Sequence, residues 1–254
     1  MSISLDKQVG WQAHIITLFP DMFPGPLNTS LSGRALENGA WTCQTHDLRA
    51  FGEGRHRAVD DTPAGGGAGM VLRADIASAA LTDTQNKAGD LPVLLPSPRG
   101  VPFTQEMAAD LASGKGAIFM CNRFEGVDER FIEAHDLREV SVGDYILSGG
   151  EMAAFAMLDA IIRLLPGVMG SSASHDEESF TDDLLEYPQY TRPASWQGRA
   201  IPAILASGNH GDIAVWRRAR AHEITAARRP DLWARFVARN PSAAPKKPDD
   251  KKSG

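Results

Sequence analysis

A glycine-rich bend at residues 139–151 carries residue types that let a backbone approach a ligand closely. Its sequence is Glu-Val-Ser-Val-Gly-Asp-Tyr-Ile-Leu-Ser-Gly-Gly-Glu, and an apolar helical pattern follows at 152–165. Gly143, Gly149 and Gly150 lack a Cβ atom, so they permit positive φ and leave backbone N–H and C=O groups open to a bound molecule. From spacing alone, a plain strand-to-helix turn explains this bend as well as a small-ligand site does.

A second glycine cluster, Gly65-Gly66-Gly67-Ala68-Gly69, lies in a segment at 50–69 without hydrophobic periodicity. The segment is too long and too rich in glycine for an inert connection. A Walker-type phosphate loop is excluded, because Met70-Val71 follows where Gly-Lys-Ser/Thr is required. A dinucleotide fingerprint is excluded as well, because that motif lies between a strand and a helix, with an acid about twenty residues later.

Metal and disulfide patterns are missing from the sequence. The 7 histidines show no His-x-x-x-His or Cys/His ligand spacing, and Cys43 and Cys121 form no Cys-x-x-Cys motif. We therefore predict no structural metal and two buried thiols. The 254 residues are 43% hydrophobic and 23% charged, which is typical of a globular protein. No apolar run reaches the length of a membrane span and no signal sequence is visible, so a cytoplasmic protein is expected.

Alternating strand and helix patterns predict an α/β fold with a mostly parallel sheet flanked by helices. The predicted strands are 11–19, 41–48, 93–95, 116–121 and 140–142. The predicted helices are 27–38, 75–81, 104–113 with Thr104 as its N-cap, 128–135, 152–165, 209–223 and 230–239.

Three predicted strand exits meet at one edge of this sheet. They are 96–100, where Ser97-Pro98-Arg99-Gly100 is predicted to turn the chain, then 122–126, and then 142–150. Ligands of α/β sheets bind beyond the carboxyl ends of the strands. The three loops are therefore expected to surround one small molecule.

Charge is unevenly distributed along the chain, although the net charge is only −6. Residues 1–189 hold 13 Lys and Arg against 27 Asp and Glu, whereas residues 190–239 hold 9 Arg against 3 acids. This asymmetry indicates an acidic body and a basic C-terminal module, because Arg suits phosphate groups and base edges. A charged surface helix remains the alternative explanation.

Two short sequence motifs resemble those of a known family. Val-Gly-Asp-Tyr-Ile-Leu-Ser-Gly-Gly-Glu at 142–151 and Cys-Asn-Arg-Phe-Glu-Gly-Val-Asp-Glu-Arg at 121–130 resemble the bacterial tRNA (guanine-N1)-methyltransferases of the TrmD type, which belong to the knotted SPOUT class. The resemblance extends from Ile-Ile-Thr-Leu-Phe-Pro at 15–20 through 57–61, 65–70 and 205–210 to about Pro230. It covers nearly the whole chain.

The resemblance implies a C-terminal trefoil knot in the cofactor domain, although true knots are essentially absent from ordinary folds. It implies a knotted α/β domain at 1–168 and a small helical Arg-rich tRNA-binding domain at 187–240. Composition predicts a flexible acidic linker at 169–186, which has little to bury, and a disordered tail at 241–254, which is rich in Pro, Lys and Asp. The three strand exits would bind S-adenosylmethionine. The implied cofactor residues are Leu95, Pro96, Ser97, Pro98, Gly100, Asn122, Glu125, Val142, Gly143, Asp144, Tyr145, Ile146, Leu147, Gly149 and Gly150.

The resemblance also implies the reaction: methyl transfer to N1 of guanosine 37, next to the anticodon of tRNA. Arg163 matches the family's arginine, and Glu178 stands where the family normally has its catalytic aspartate. Asp176 and Glu177 are rival candidates for the general base. A second departure is Asn122, where the family usually has glycine; Asn also tolerates positive φ.

Substrate contacts and partners are implied in the same way. The implied substrate-binding residues are Arg55, Arg57, Asp61, Ser207, Asn209, Arg217 and Arg218. The partners would be tRNA and a second copy of the chain, with the active site shared between the subunits of a homodimer, and Mg²⁺ is implied by the family alone. Two alternatives stay open, namely a knotted methyltransferase for another RNA position and a catalytically silent RNA-binding protein.

Overall fold

The structure, a computed structural model, describes residues 10–169 and 178–243. It divides into two compact units, one up to position 170 and one from position 171. The predicted linker and tail fall partly outside the described residues, at 170–177 and 244–254. The described residues 178–186 belong to the second unit.

A five-stranded sheet forms the centre of the first unit. Its strands lie in the order β2-β1-β6-β5-β7, and every neighbouring pair is parallel. The strands are β1 (Trp11–Thr17), β2 (Trp41–Asp47), β5 (Val93–Pro102), β6 (Gly116–Met120) and β7 (Arg138–Ser141), while β3 (Asp60–Asp61) and β4 (Val71–Leu72) form a separate antiparallel hairpin. The predicted α/β class with a mostly parallel sheet is confirmed.

Helices cover both faces of this sheet, which explains why β6 is buried along its whole length. The helices are α1 (Ser30–Glu37), α2 (Ala74–Ala88), α3 (Gln105–Ser113), α4 (Glu129–His135) and α5 (Gly150–Ile162). One apolar core includes Trp41, Leu111 and Leu158, from β2, α3 and α5, and the other includes Leu81 and Phe131, from α2 and α4.

Strand β5 corrects one prediction, because the chain does not turn away at Ser97-Pro98-Arg99-Gly100. Pro96 and Val101 both pair with Val140, so the intervening residues form a bulge and β5 then resumes its pairing with β7. A Cβ atom on Gly100 would lie 2.3 Å from the backbone N of Val140. The bulge therefore depends on the missing side chain of Gly100, which sequence periodicity does not reveal.

Helix ends follow local signals. The side chain of Thr104 accepts a hydrogen bond from the backbone N–H of Met107, so the predicted N-cap of α3 is confirmed. Helix α2 continues to Ala88 rather than ending at 81, because the polar stretch after Leu81 contains no helix breaker before Gly89, which adopts φ 78° at the C-cap.

The second unit contains a short hairpin and two packed helices among its described residues. The hairpin joins β8 (Ser195–Trp196) to β9 (Arg199–Ala200), and the helices are α6 (His210–Arg228) and α7 (Pro230–Arg239). The rings of His222, Trp233 and Phe236 pack together where α6 meets α7. In the part of the chain that the structure describes, no helix has both the length and the apolarity to span a bilayer.

Candidate functional site

A crevice of about 1530 Å³ lies at the bulge of β5 and at the ends of β6 and β7. Its walls combine the β5 bulge, the loop after β6 and the loop that connects β7 to α5. The volume exceeds the several hundred cubic ångströms that a single small-molecule site needs. The crevice can therefore accommodate a cofactor together with part of a second molecule.

Most of the predicted cofactor residues line this crevice. The lining residues among them are Leu95, Pro96, Ser97, Pro98, Asn122, Glu125, Val142, Gly143, Tyr145, Ile146, Leu147, Gly149 and Gly150. Gly100 and Asp144 are not among the lining residues, and Gly100 instead lies against β7. The structure thus brings the three predicted segments together, although the first of them, at 96–100, is a bulge within β5 rather than a strand exit.

Apolar side chains are unusually exposed along one part of the crevice. Ile146 is 81% exposed and Tyr145 57%, and both precede Leu147 in the loop between β7 and α5. Phe124 from the neighbouring loop is also exposed. Contiguous exposed apolar surface in a concave site is typical of a binding surface that a ligand covers.

The hairpin of β3 and β4 forms another rim of the crevice. It is attached through the backbone, because the N–H of Leu72 donates to the carbonyl of Gly126 and the N–H of Glu125 donates to the carbonyl of Met70, both at 2.9 Å. A Cβ atom on Gly69 would lie 2.5 Å from the Glu125 side chain. Glycine at 69 thus allows the two loops to lie against each other.

The predicted substrate residues of this segment are only partly in the crevice. Asp61, in β3, lines it, whereas Arg55 and Arg57 are exposed and do not. Their contact with substrate remains a prediction.

A buried carboxylate connects three of the segments around the crevice. Glu151, in the first turn of α5, is 0% exposed, and one of its oxygens accepts a 2.8 Å hydrogen bond from the hydroxyl of Thr17 at the end of β1. Its other oxygen lies 2.9 Å from Nε of Arg123, in the loop after β6. Burial of Glu151 is therefore compensated by one hydrogen bond and one ion pair.

Arg123 extends the same cluster toward the neighbouring loop. Its Nη1 donates a 3.1 Å hydrogen bond to the carbonyl of Ser148, and its guanidinium lies 4.5 Å from the centre of the Phe19 ring. A Cβ atom on Gly149 would lie 2.3 Å from Nε of Arg123. Glycine at this position is therefore required for the guanidinium to reach Ser148 and Glu151 together.

Sequence reasoning missed this cluster of Thr17, Arg123 and Glu151. Arg123 and Glu151 lie within the two motifs that resemble the family, but nothing in their spacing indicates that they touch. The available signal was an acid in the first turn of a largely apolar helix, where a carboxylate also interacts favourably with the helix dipole.

Asn122 does not adopt the positive φ that asparagine tolerates. In its loop the residues with positive φ are Phe124 and Gly126, not Asn122. The carbonyl of Asn122 accepts a 2.9 Å hydrogen bond from the N–H of Gly150, and a Cβ atom on Gly150 would lie 2.9 Å from Cα of Cys121. The start of α5 thus lies directly against the end of β6.

The two predicted catalytic residues lie in different units. Arg163 is the C-cap residue of α5 and is not among the residues that line the crevice. Glu178 is half-buried at the start of the described part of the second unit. The rival bases, Asp176 and Glu177, lie outside the described residues.

The predicted tRNA-contacting residues of the second unit lie at and within α6. Asn209 is its N-cap, with a side-chain oxygen that accepts from the N–H of Gly211, and the hydroxyl of Ser207 accepts from the N–H of Asn209. Arg217 lies over the ring of Tyr187, 4.7 Å from its centre, and Arg218 is on the same helix. Both arginines are therefore presented on a helix whose start is fixed by local capping.

Burial accounts for the shifted pKa values of several side chains outside the crevice. Nδ1 of His14 lies 3.0 Å from Nε2 of His46, and burial together with the His14 charge lowers the pKa of His46 to about 4. Burial raises the pKa of Cys43 to about 11, and it raises the pKa of Cys121 well above its usual value. Within residues 10–169 and 178–243, no group of three or more His, Cys, Asp or Glu side chains could hold a metal ion.

Comparison with known proteins gives a consistent result. The family model described as tRNA (Guanine-1)-methyltransferase TrmD matches residues 11–235. A tRNA (guanine-N(1)-)-methyltransferase of Roseobacter denitrificans is 60% identical over 225 residues, which cover 88% of this chain and 93% of that protein. The protein of the same name from Gluconobacter oxydans is 58% identical over 231 residues, with 91% and 98% covered. That of Bradyrhizobium diazoefficiens is 56% identical over 249 residues, with 96% and 98% covered.

Replacement of the buried carboxylate should destabilise the first unit. Glu151→Gln leaves the Arg123 guanidinium without its counter-charge, and we expect the free energy of unfolding to fall by about 3 kcal/mol, the low end for a broken buried ion pair, because Arg123 is 20% exposed. Chemical denaturation followed by tryptophan fluorescence measures the change.

The matched control is Glu129→Gln, which removes an exposed carboxylate 2.8 Å from Arg99. We expect a change of less than about 1 kcal/mol, as for other surface ion pairs. Equal small losses in both variants would contradict a structural role for the Glu151 ion pair.

Proposed function

The chain belongs to the tRNA (guanine-1)-methyltransferase family TrmD, and we propose on that premise that its crevice binds S-adenosylmethionine for methylation of guanosine 37 beside the tRNA anticodon. Family membership makes the protein an enzyme that methylates N1 of guanine in tRNA. The observation that carries the cofactor assignment is the convergence of three loops, from β5, β6 and β7, on one crevice.

The residues of the crevice fit an adenosine-containing cofactor. The exposed apolar side chains of Tyr145, Ile146 and Leu147 suit the faces of an adenine ring. A Cβ atom on Gly143 would lie 2.5 Å from the Tyr145 ring, so glycine at 143 allows this ring to lie back against its own loop. When bound, S-adenosylmethionine supplies a methyl group on a positively charged sulfur, which makes that methyl electrophilic.

The trefoil knot is part of this proposal. Strand β5 and its bulge lie between β6 and β7 in the sheet, and α5 begins against the end of β6, where Gly150 donates to Asn122. These close backbone approaches support a path in which the segment after β7 passes among the other two loops. The buried Glu151 ion pair holds that segment in place.

Proton removal is the step that the protein side chains must perform. Guanine N1 carries a proton, so formation of the N1–methyl bond, with cleavage of the sulfur–methyl bond, requires a base for that proton. We assign this role to Glu178, and we assign stabilisation of the negative charge that develops on O6 to Arg163. The proton ends on the Glu178 carboxylate, and loss of the methyl group would leave the donor as a neutral thioether.

A homodimer with a shared active site completes the proposal. In this proposal each site takes its cofactor crevice and Arg163, which belong to the same unit, from one subunit, although Arg163 does not itself line the crevice. The other subunit brings its Glu178 and its basic helix to that site. Mg²⁺ has no fitting group of ligands among the described residues, so no step is assigned to it.

Recognition of tRNA is assigned to the second unit. Helix α6 carries Arg217, Arg218 and Arg220, and phosphate contacts by such side chains supply much of the affinity for nucleic acids. The ring of Tyr187 packs against Arg217, which restricts where the guanidinium lies. A cofactor crevice in one unit and a basic helix in the other separate methyl donation from tRNA binding.

Mass spectrometry of nucleosides tests the reaction and its base together. Unmodified tRNA incubated with the protein and S-adenosylmethionine should yield 1-methylguanosine at position 37. Glu178→Gln should lower the single-turnover rate by at least about a hundredfold, as expected for a lost general base, with cofactor binding intact.

Three further variants control that experiment. Glu178→Asp should retain much of the activity, and Asp176→Asn and Glu177→Gln should leave the methyl-transfer rate nearly unchanged. If Asp176→Asn lost its methyl-transfer activity while Glu178→Gln stayed active, the general base would be Asp176 rather than Glu178. Methylation of a different nucleoside, or of none, would refute the assigned reaction.

Mixing two inactive variants tests the shared site. Arg163→Ala and Glu178→Ala proteins should each be inactive, and their co-refolded mixture should regain activity because a heterodimer contains one intact site. Analytical ultracentrifugation should show dimers throughout. A mixture that stays inactive, with monomeric components, would refute the shared active site.

Charge reversal on α6 tests the assignment of tRNA binding. Replacement of Arg217 and Arg218 by Glu should weaken tRNA binding and flatten its dependence on salt, because fewer counterions are released. Calorimetry should show unchanged binding of S-adenosylmethionine. Glu replacements of the exposed Arg34 and Arg49, in the first unit, serve as the control. An unaltered tRNA affinity would remove α6 from the binding surface.

A further inference from the structure

The segment that follows Glu178 is folded back on itself. The N–H of Phe180 donates a 2.6 Å hydrogen bond to the carbonyl of Leu184, and the N–H of Glu186 donates a 3.1 Å hydrogen bond to the hydroxyl of Ser179. These bonds close a loop over 179–186, and Glu178 lies at its stem. Whatever fixes this loop therefore also restricts Glu178.

Asp183 fixes the loop to the last turns of α7. Its Oδ1 lies 2.9 Å from Nε of Arg235 and its Oδ2 lies 2.9 Å from Nη1 of Arg239, one helical turn apart. The Asp183 side chain is only 11% exposed, whereas both arginines reach into solvent. One largely buried carboxylate thus neutralises two guanidinium groups and ties the loop to a helix.

The backbone of this loop is strained. Phe180, Asp182 and Asp183 have φ of 76°, 53° and 60°, values that residues other than glycine adopt infrequently. Such conformations persist only where surrounding contacts determine them, and they concentrate at functional sites. The Asp183 ion pairs are contacts of this kind.

A second attachment lies two residues further on. The N–H of Leu185 donates a 2.8 Å hydrogen bond to the hydroxyl of Thr225, which is buried within α6. The loop is therefore held at neighbouring positions by both helices of the second unit. The part nearer to Glu178 depends on Asp183.

We propose that Asp183, through Arg235 and Arg239, is a positioning residue that holds the loop after Glu178 so that the Glu178 carboxylate reaches guanine N1. This inference rests on the proposed role of Glu178 as the base. Asp183 itself touches neither substrate nor cofactor in this account. Its effect is to reduce the number of loop conformations that the catalytic step must otherwise select.

Asp183→Asn tests the proposal with a neighbouring control. Asn keeps the shape of the side chain and tolerates positive φ, but it loses the charge that pairs with Arg235 and Arg239. The control is Asp182→Asn, because Asp182 also has positive φ but is exposed, and no ion pair involves it among the described residues. Hydrogen exchange should speed up at the Phe180 amide in Asp183→Asn and stay unchanged in Asp182→Asn.

The kinetic arm separates positioning from general damage. At saturating tRNA and cofactor, Asp183→Asn should lower the single-turnover rate by about tenfold, as a misplaced base does. Binding of tRNA should not weaken, because Arg235 and Arg239 keep their charge. In a Glu178→Gln background, the same change should have no further effect on the rate, because the group that it positions is gone. The Asp182→Asn variant should match the parent protein in both backgrounds.

Each possible result of these experiments either supports or overturns the positioning role of Asp183. Unchanged exchange at Phe180, or losses that multiply in the double variant, would overturn the positioning role while leaving Glu178 as the base. An active Glu178→Gln protein would overturn the base assignment and, with it, a role that acts through Glu178. Faster exchange with a rate loss confined to the Glu178 parent supports the proposal.

Discussion

The buried carboxylate of Glu151 is the constraint on which the crevice depends. It accepts from Thr17 at the end of β1, pairs with Arg123 after β6 and lies in the first turn of α5, so two strand ends and a helix start are fixed relative to one charge. A buried carboxylate without these partners would be strongly unfavourable. The loops must therefore adopt the arrangement that satisfies it, and the crevice is the space that this arrangement leaves between them.

Glycines make that arrangement possible at the points of closest approach. Gly149 leaves room for the Arg123 guanidinium, Gly150 lets α5 start against Cys121, and Gly100 lets the β5 bulge lie on β7. Each is needed for space next to a neighbouring chain segment, rather than for a positive φ. The glycine-rich character of the site is thus a packing requirement of loops that lie close together, and the ligand surface is a consequence.

The α/β class, most strands and the meeting of the segments at 96–100, 122–126 and 142–150 could be predicted from the sequence, because apolar periodicity and strand polarity are local properties. The β5 bulge could not, because it depends on where Gly100 meets Val140, forty residues away in the chain. The Thr17–Glu151 contact spans a larger separation still. The catalytic assignments of Arg163 and Glu178 came from family resemblance, since neither residue carries a distinctive local pattern.

The rim hairpin of β3 and β4 is joined to the loop after β6 by hydrogen bonds between backbone atoms, while Gly65, Gly66 and Gly67 at its tip face open space. Backbone attachment does not depend on side-chain identity, so the tip can vary in length and sequence without disturbing the crevice wall. This tip is consequently a suitable place to insert a cysteine for a fluorescent reporter, which would sense occupancy of the crevice from its edge without entering it.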